Sequence, residues 1–197
     1  MPASKPVQCR VVAALSAVAL CAVAAGPADK NTTEYIVPAV KARFRVPKAW
    51  VKKDVTGQHA DALYVFDPAP KTKPSTVMKQ QLVEVYLNTA TDAQKTLEAA
   101  VADFKAAQLK RKPTLKFIKD AATTFAGRKV WQLHWNERLE LKTLDGKKAG
   151  FADLDRYSYL WLEHDALCQI GLHADTQLMP TLIQKAEPVA KSIVWDD

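Results

Sequence analysis

The chain has 197 residues, 48% hydrophobic and 25% charged, enough to bury one core and too few for two. That balance excludes a disordered chain, and only six glycines exclude a collagen-like one. With 28 Lys and Arg against 21 Asp and Glu the formal charge is +7, which draws acidic partners only weakly.

Residues 1–10 carry Lys5 and Arg10 and no acid, and residues 11–24 (VVAALSAVALCAVA) carry no charge at all. A basic segment followed by an apolar run of this length reads as a signal peptide, because crossing a bilayer as a helix takes roughly 20 apolar residues. The run ends in Ala22-Val23-Ala24-Ala25, which presents small residues where a signal peptidase reads them. The expectation is cleavage near Ala24 or Ala25 and a periplasmic or secreted product, with an uncleaved anchor as the competing reading. Leu20 before Cys21 disfavours lipidation. Cleavage removes Cys9 and Cys21 and leaves Cys168 alone, so the mature chain forms no internal disulfide.

Residues 26–40 read as a flexible lead-in and residues 41–197 as one domain. Ala42, Phe44 and Val46 alternate with Lys41, Arg43 and Arg45, the period of a half-buried strand. Residues 62–66 (ALYVF) and 82–87 (LVEVYL) read as two further strands, separated by a Pro/Lys-rich loop at 67–74 (DPAPKTKP). From Thr91 the period becomes helical, with Ala93, Leu97, Ala100, Val101, Phe104 and Ala107 on one face. Thr89 or Thr91 is the expected cap. Lys110-Arg111-Lys112 lies at the negative end of this helix before Pro113 stops it, the usual place for cations. An extended pattern resumes at 114–118.

Trp131, Leu133, Trp135, Leu139 and Leu141 share one parity and Gln132, His134, Asn136, Arg138 and Glu140 the other, so a long strand starts near Lys129. A two-residue turn at Asp145-Gly146 sets His134 opposite Tyr157, Gln132 opposite Tyr159 and Val130 opposite Trp161. After a tight turn around Asp165, the strand at 167–174 places Cys168, Ile170 and Leu172 on the face of Tyr157, Tyr159 and Trp161. Leu160 and Leu162 make the opposite face of the same strand apolar. Both faces therefore need a cover. The chain supplies the helix near Thr91 and a second at 179–191, where Pro180 suits the first turn and Pro188 is expected to break or kink it. The fold class is α+β, an antiparallel sheet between helices in a single αβα sandwich.

The chemistry legible in the sequence is sparse. Cys168 and His173 are an odd number of residues apart on one strand, and therefore on opposite faces. His164, across the turn, is also expected opposite Cys168, whose apolar stripe makes it a small hydrophobe and not a nucleophile. The four histidines, at 59, 134, 164 and 173, form no metal-ligand spacing. Asp153 and Asp155 share a face, but two acids at a strand entrance are expected to be solvated. Phosphate loops, a nucleophile elbow and a dinucleotide fingerprint are absent. No cofactor is implied. Donors, acceptors and an aromatic ring converge at one place, the polar end of the long hairpin: His134, Asn136 and Arg138 with Asp155 and Tyr157 opposite. These five are the candidate binding residues.

The opening Phe44-Arg45-Val46-Pro47-Lys48-Ala49-Trp50, the single long helix after three strands, and the closing Ser192-Ile193-Val194-Trp195 resemble the PsbP-like fold family. That family takes in the photosystem II extrinsic protein PsbP and bacterial periplasmic DcrB-type proteins. The resemblance implies an αβα sandwich that acts as an accessory or scaffold by binding, with no catalytic residue to carry over. Three functions follow: an exported accessory protein with a protein or small-ligand partner, a small periplasmic hydrolase, and a binder of polyanions or of a membrane surface. Scattered basic residues without interleaved aromatics argue against specific nucleic-acid binding and leave peripheral membrane association open.

Overall fold

The computed structural model describes residues 30–56, 61–68, 81–142 and 148–196. The signal segment, most of the Pro/Lys-rich loop, His59 and the Asp145-Gly146 turn lie outside the described residues. In chain order the strands are β1 (Thr32–Val37), β2 (Ala42–Pro47), β3 (Val51–Lys53), β4 (Leu63–Asp67) and β5 (Gln81–Thr89), then α1 (Leu97–Arg111). There follow β6 (Phe117–Phe125), β7 (Arg128–Lys142), β8 (Lys148–Glu163), β9 (Ala166–Asp175), α2 (Met179–Lys191) and β10 (Val194–Trp195).

Seven strands form one antiparallel sheet in the order β3-β4-β5-β9-β8-β7-β6, and β1-β2-β10 form a smaller one. The expected hairpin register is present, with His134 opposite Tyr157 and Gln132 opposite Tyr159. Trp161 stands opposite Cys168, and Tyr157 opposite Leu172. The meander from β6 to β9 turns on short connections, two of which place non-glycine residues in the left-handed region. Ala126 has φ 55° beside Gly127, and His164 and Asp165 have φ 50° and 58°. Both central residues of a two-residue turn take positive φ when the turn twists with its strands.

Each face of the large sheet has its own cover. Val83, Val85, Leu87, Cys168, Ile170, Leu172, Tyr159 and Trp161 pack with α2 and with Val37, Phe44 and Val46 of the small sheet. Leu133, Trp135, Leu160 and Leu167 pack under α1. The architecture is therefore the expected α+β sandwich, with one addition: a three-stranded sheet shares a face with α2. Arg128 fastens that layer, since its guanidinium donates to Glu163 Oε2 at 3.1 Å and to the carbonyls of Ala190 and Ile193 at 2.9 and 3.1 Å.

Four expectations are corrected. Residues 32–37, placed in a flexible lead-in at 26–40, form β1, which pairs with β2 from Thr32↔Pro47 to Val37↔Ala42. Its Tyr35 stacks on Phe44 at 5.5 Å, a contact too sparse in sequence to show as a period. Thr91 caps a short 3-10 turn, Asp92–Gln94, and Thr96 caps α1 by accepting from the Ala99 N–H at 3.2 Å. α2 continues through Pro188 to Lys191. Proline removes only its own N–H, and the Pro188 carbonyl still accepts from Ser192 N–H at 3.0 Å. Finally, Asp155 is not solvated but buried at 5% exposure, whereas Asp153 is exposed.

Candidate functional site

The sheet's registers decide which titratable groups meet. β6 pairs with β7 only as far as Trp135, and β9 pairs with β8 only from Leu154 onwards. Beyond those points β7 and β8 pair with one another alone, from Arg138↔Asp153 to Lys142↔Lys148. The candidate residues lie along one face of this free ribbon and its root. At the root, His134 Nε2 is 3.2 Å from Asp155 Oδ1, and the imidazole stacks on the Tyr157 ring at 4.2 Å. Burial, and then the charge of Asp155, raise the Tyr157 pKa, so the phenol stays a neutral donor. Behind it, burial and then Tyr157 push Tyr159 up to about 12.

Asn136 and Arg138 do not join this cluster. Asn136 is exposed, and Arg138 reaches Asp153 at 3.8 Å and lies 4.5 Å over the Phe151 ring. Lys148 lies over the same ring at 4.3 Å. Phe151, 48% exposed, thus sits between two cations on the ribbon. Of the five sequence candidates, then, three converge at the root, and two stand further out with an aromatic ring that sequence reading did not single out.

A second constellation lies on the opposite face, under the carboxy end of α1. Glu84, His173, Arg156 and Glu137 come from β5, β9, β8 and β7 and form a row across the sheet. His173 Nε2 is 3.3 Å from Glu84 Oε2, and Arg156 Nη1 is 2.7 Å from His173 Nδ1. Arg156 pairs on its other side with Glu137, whose second oxygen is 3.9 Å from Lys112 Nζ. Burial opposes ionisation of Glu84, but the His173 hydrogen bond and the charges of Arg156 and Arg111 outweigh it and hold the carboxyl below the ordinary glutamate range. Gly171 stands opposite Glu84, and a Cβ there would meet Glu84 Oε2 at 2.7 Å, so the missing side chain is what lets the carboxylate lie over β9.

This row escaped sequence reading because its members come from four strands far apart in the chain. One signal was available: Glu84, Arg156 and His173 each interrupt an apolar strand on the same side of the sheet. The Cys168 thiol faces the other way, fully buried, and burial raises its pKa far above the ordinary range. His173 is on the opposite face, as strand parity required. His164 departs from expectation: it lies in the β8–β9 turn and stacks at 5.0 Å on Trp195, which packs against the layer that contains Cys168. Among the described residues no three His, Cys, Asp or Glu side chains are grouped to hold a metal.

No protein-family model and no curated protein matches the chain. Among solved structures, cyanobacterial PsbP (CyanoP) from Synechocystis sp. PCC 6803 superposes with a TM-score of 0.54 at 13% identity, covering 87% of this chain and 96% of that one. The Ran-binding protein Mog1p of Saccharomyces cerevisiae gives 0.48 at 11% identity, covering 83% and 95%. The CyanoP likeness shows the fold, which is the one that the opening and closing motifs resembled.

Proposed function

We propose that this chain of PsbP-like fold is an exported, non-catalytic binding protein that holds a protein partner with the free part of the β7–β8 ribbon. The reading is carried by these two strands continuing past the sheet with no third strand paired to them among the described residues. A two-stranded ribbon without a covering layer is marginal by itself. This one is braced at its root by Glu137, which pairs with Arg156 and Lys112. It carries Phe151 between Arg138 and Lys148, and an aromatic ring flanked by guanidinium and ammonium groups suits the centre of a protein interface. At the root His134 bonds Asp155 and stacks on Tyr157, which stiffens the arm.

Catalysis fits less well. The one described thiol is buried with a raised pKa, and His173 is committed to Glu84 and Arg156.

A photoreactive amino acid at Asn136 or Phe151, in the full chain expressed with its signal in a bacterial host, tests the reading. A discrete crosslinked adduct is expected from the ribbon and none from Lys185 on the exposed side of α2. Adducts from Lys185 alone, or from neither site, would count against it.

A further inference from the structure

The cleft between the carboxy end of α1 and the sheet lies on the other face of the sheet from Phe151 and shares Glu137, Arg156 and Lys112 with the root of the ribbon. Its volume is about 230 Å³, and its walls include Gln108, Arg111, Lys112, Trp135, Glu137 and Arg156. We propose that it binds a small oxyanion, a phosphate or a short carboxylic acid.

Three full positive charges line the cleft against one carboxylate in its wall, Glu137, with a second, Glu84, beyond the wall near Arg156 and Arg111. Both oxygens of Glu137 face cations: Arg156 at one and Lys112, at 3.9 Å, at the other. Arg111 has no ion-pair partner among the described residues and is exposed at the rim. Arg156 keeps its Nε buried without a well-aligned hydrogen bond, even though Glu137 lies against it. Its Nη1 is turned to His173. Gln108 adds an amide donor. With three cations against two carboxylates, the network leaves one positive charge uncompensated, that of the exposed Arg111, beside Arg156 Nη2 and the Gln108 amide.

The helix terminus works against an anion, since its last carbonyls are the negative end of the macrodipole. Two carbonyls at that end are already taken: Gln108 accepts from the Lys112 N–H at 2.9 Å, and Lys112 accepts from the Leu115 N–H at 3.0 Å. The cations therefore dominate what a ligand meets. Arg156 is also held in place before any ligand arrives, between Glu137 and a His173 that is itself fixed by Glu84. A positioned guanidinium loses less side-chain freedom on binding than a mobile one, and with Nε against Glu137 and Nη1 on His173 it has Nη2 left to donate to an oxyanion. Trp135 and Leu115 give the inner wall an apolar surface for the carbon skeleton of an acid. The volume limits the ligand to a small one, below the size of a typical cofactor pocket.

The test is titration of the folded protein with inorganic phosphate and with succinate by isothermal calorimetry, with phosphatidylglycerol vesicles as a third arm. Saturable binding of at least one dissolved anion is expected, weakened about tenfold in Arg111→Gln and again in Lys112→Gln. Lys185→Gln, on α2 across the sheet, should leave it unchanged. Arg111 is exposed and Lys112 lies at the rim, so these replacements spare the core, and unchanged thermal melting verifies it. The proposal is overturned if neither dissolved anion binds, if all variants bind equally, or if only the vesicles bind.

Discussion

Glu84 shows how one buried carboxylate makes stability depend on pH. Its pKa is lowered in the folded chain, so the stability it contributes is fully present above the unfolded value of about 4.3 and is lost as pH falls through the lower folded value. The difference in melting temperature between the native chain and Glu84→Gln should therefore shrink as pH falls from about 6 to about 3. A constant difference across that range would mean that the carboxylate does not ionise differently on folding. Cys168 makes the opposite case. It shares its strand face with Ile170 and Leu172, as the sequence implied, and burial both shields it and suppresses its thiolate. The native protein should react with a maleimide far more slowly than the denatured one, and rapid labelling of the folded chain would contradict its placement.

At the scale of elements, strands with clear alternation were legible and those without it were not. β7, β8 and β9 were readable because turn residues and parity together define a register, and the hairpin pairing follows from them without tertiary information. β1 was not, because its burial alternates irregularly, with Val37 its sole buried residue and Ile36 61% exposed. The root of the candidate site was readable for the same reason as the hairpin. The Glu84 row was not, because the pairing of β5 with β9 joins residues nearly ninety positions apart, roughly the separation of Glu84 from Gly171, across an intervening helix. The β8–β9 turn offers a check on its backbone. Asp165 holds φ 58°, a conformation that glycine adopts without a Cβ penalty. Asp165→Gly should raise stability by roughly 0.5 to 1 kcal/mol by denaturant melting, whereas a loss would show that the Asp165 side chain matters more than the turn.

For the whole molecule, the export expected from residues 1–25 is open to direct observation. Expressed in a bacterial host, the protein should be recovered from the periplasm with an N-terminus at Ala25 or Gly26. An intact N-terminus on cytoplasmic protein would dismiss the signal reading. One feature of the fold bears on how such a chain would travel. β2, near the start of the described chain, takes β10 as its second neighbour, and Arg45 and Ser192, 147 positions apart, exchange hydrogen bonds at 2.8 and 3.2 Å. The small sheet is thus a clasp whose two halves leave the ribosome well over a hundred residues apart. Phe44 and Val46 have no complete neighbourhood until β10 has been made, so a chain short of β10 stays open and threadable. Deletion of residues 193–197 takes away β10 and the Ile193 carbonyl that Arg128 holds. The truncated chain should melt at lower temperature and expose Phe44 and Val46 to hydrogen exchange at the backbone. Unchanged melting would show that the clasp is ornamental and that folding does not need β10.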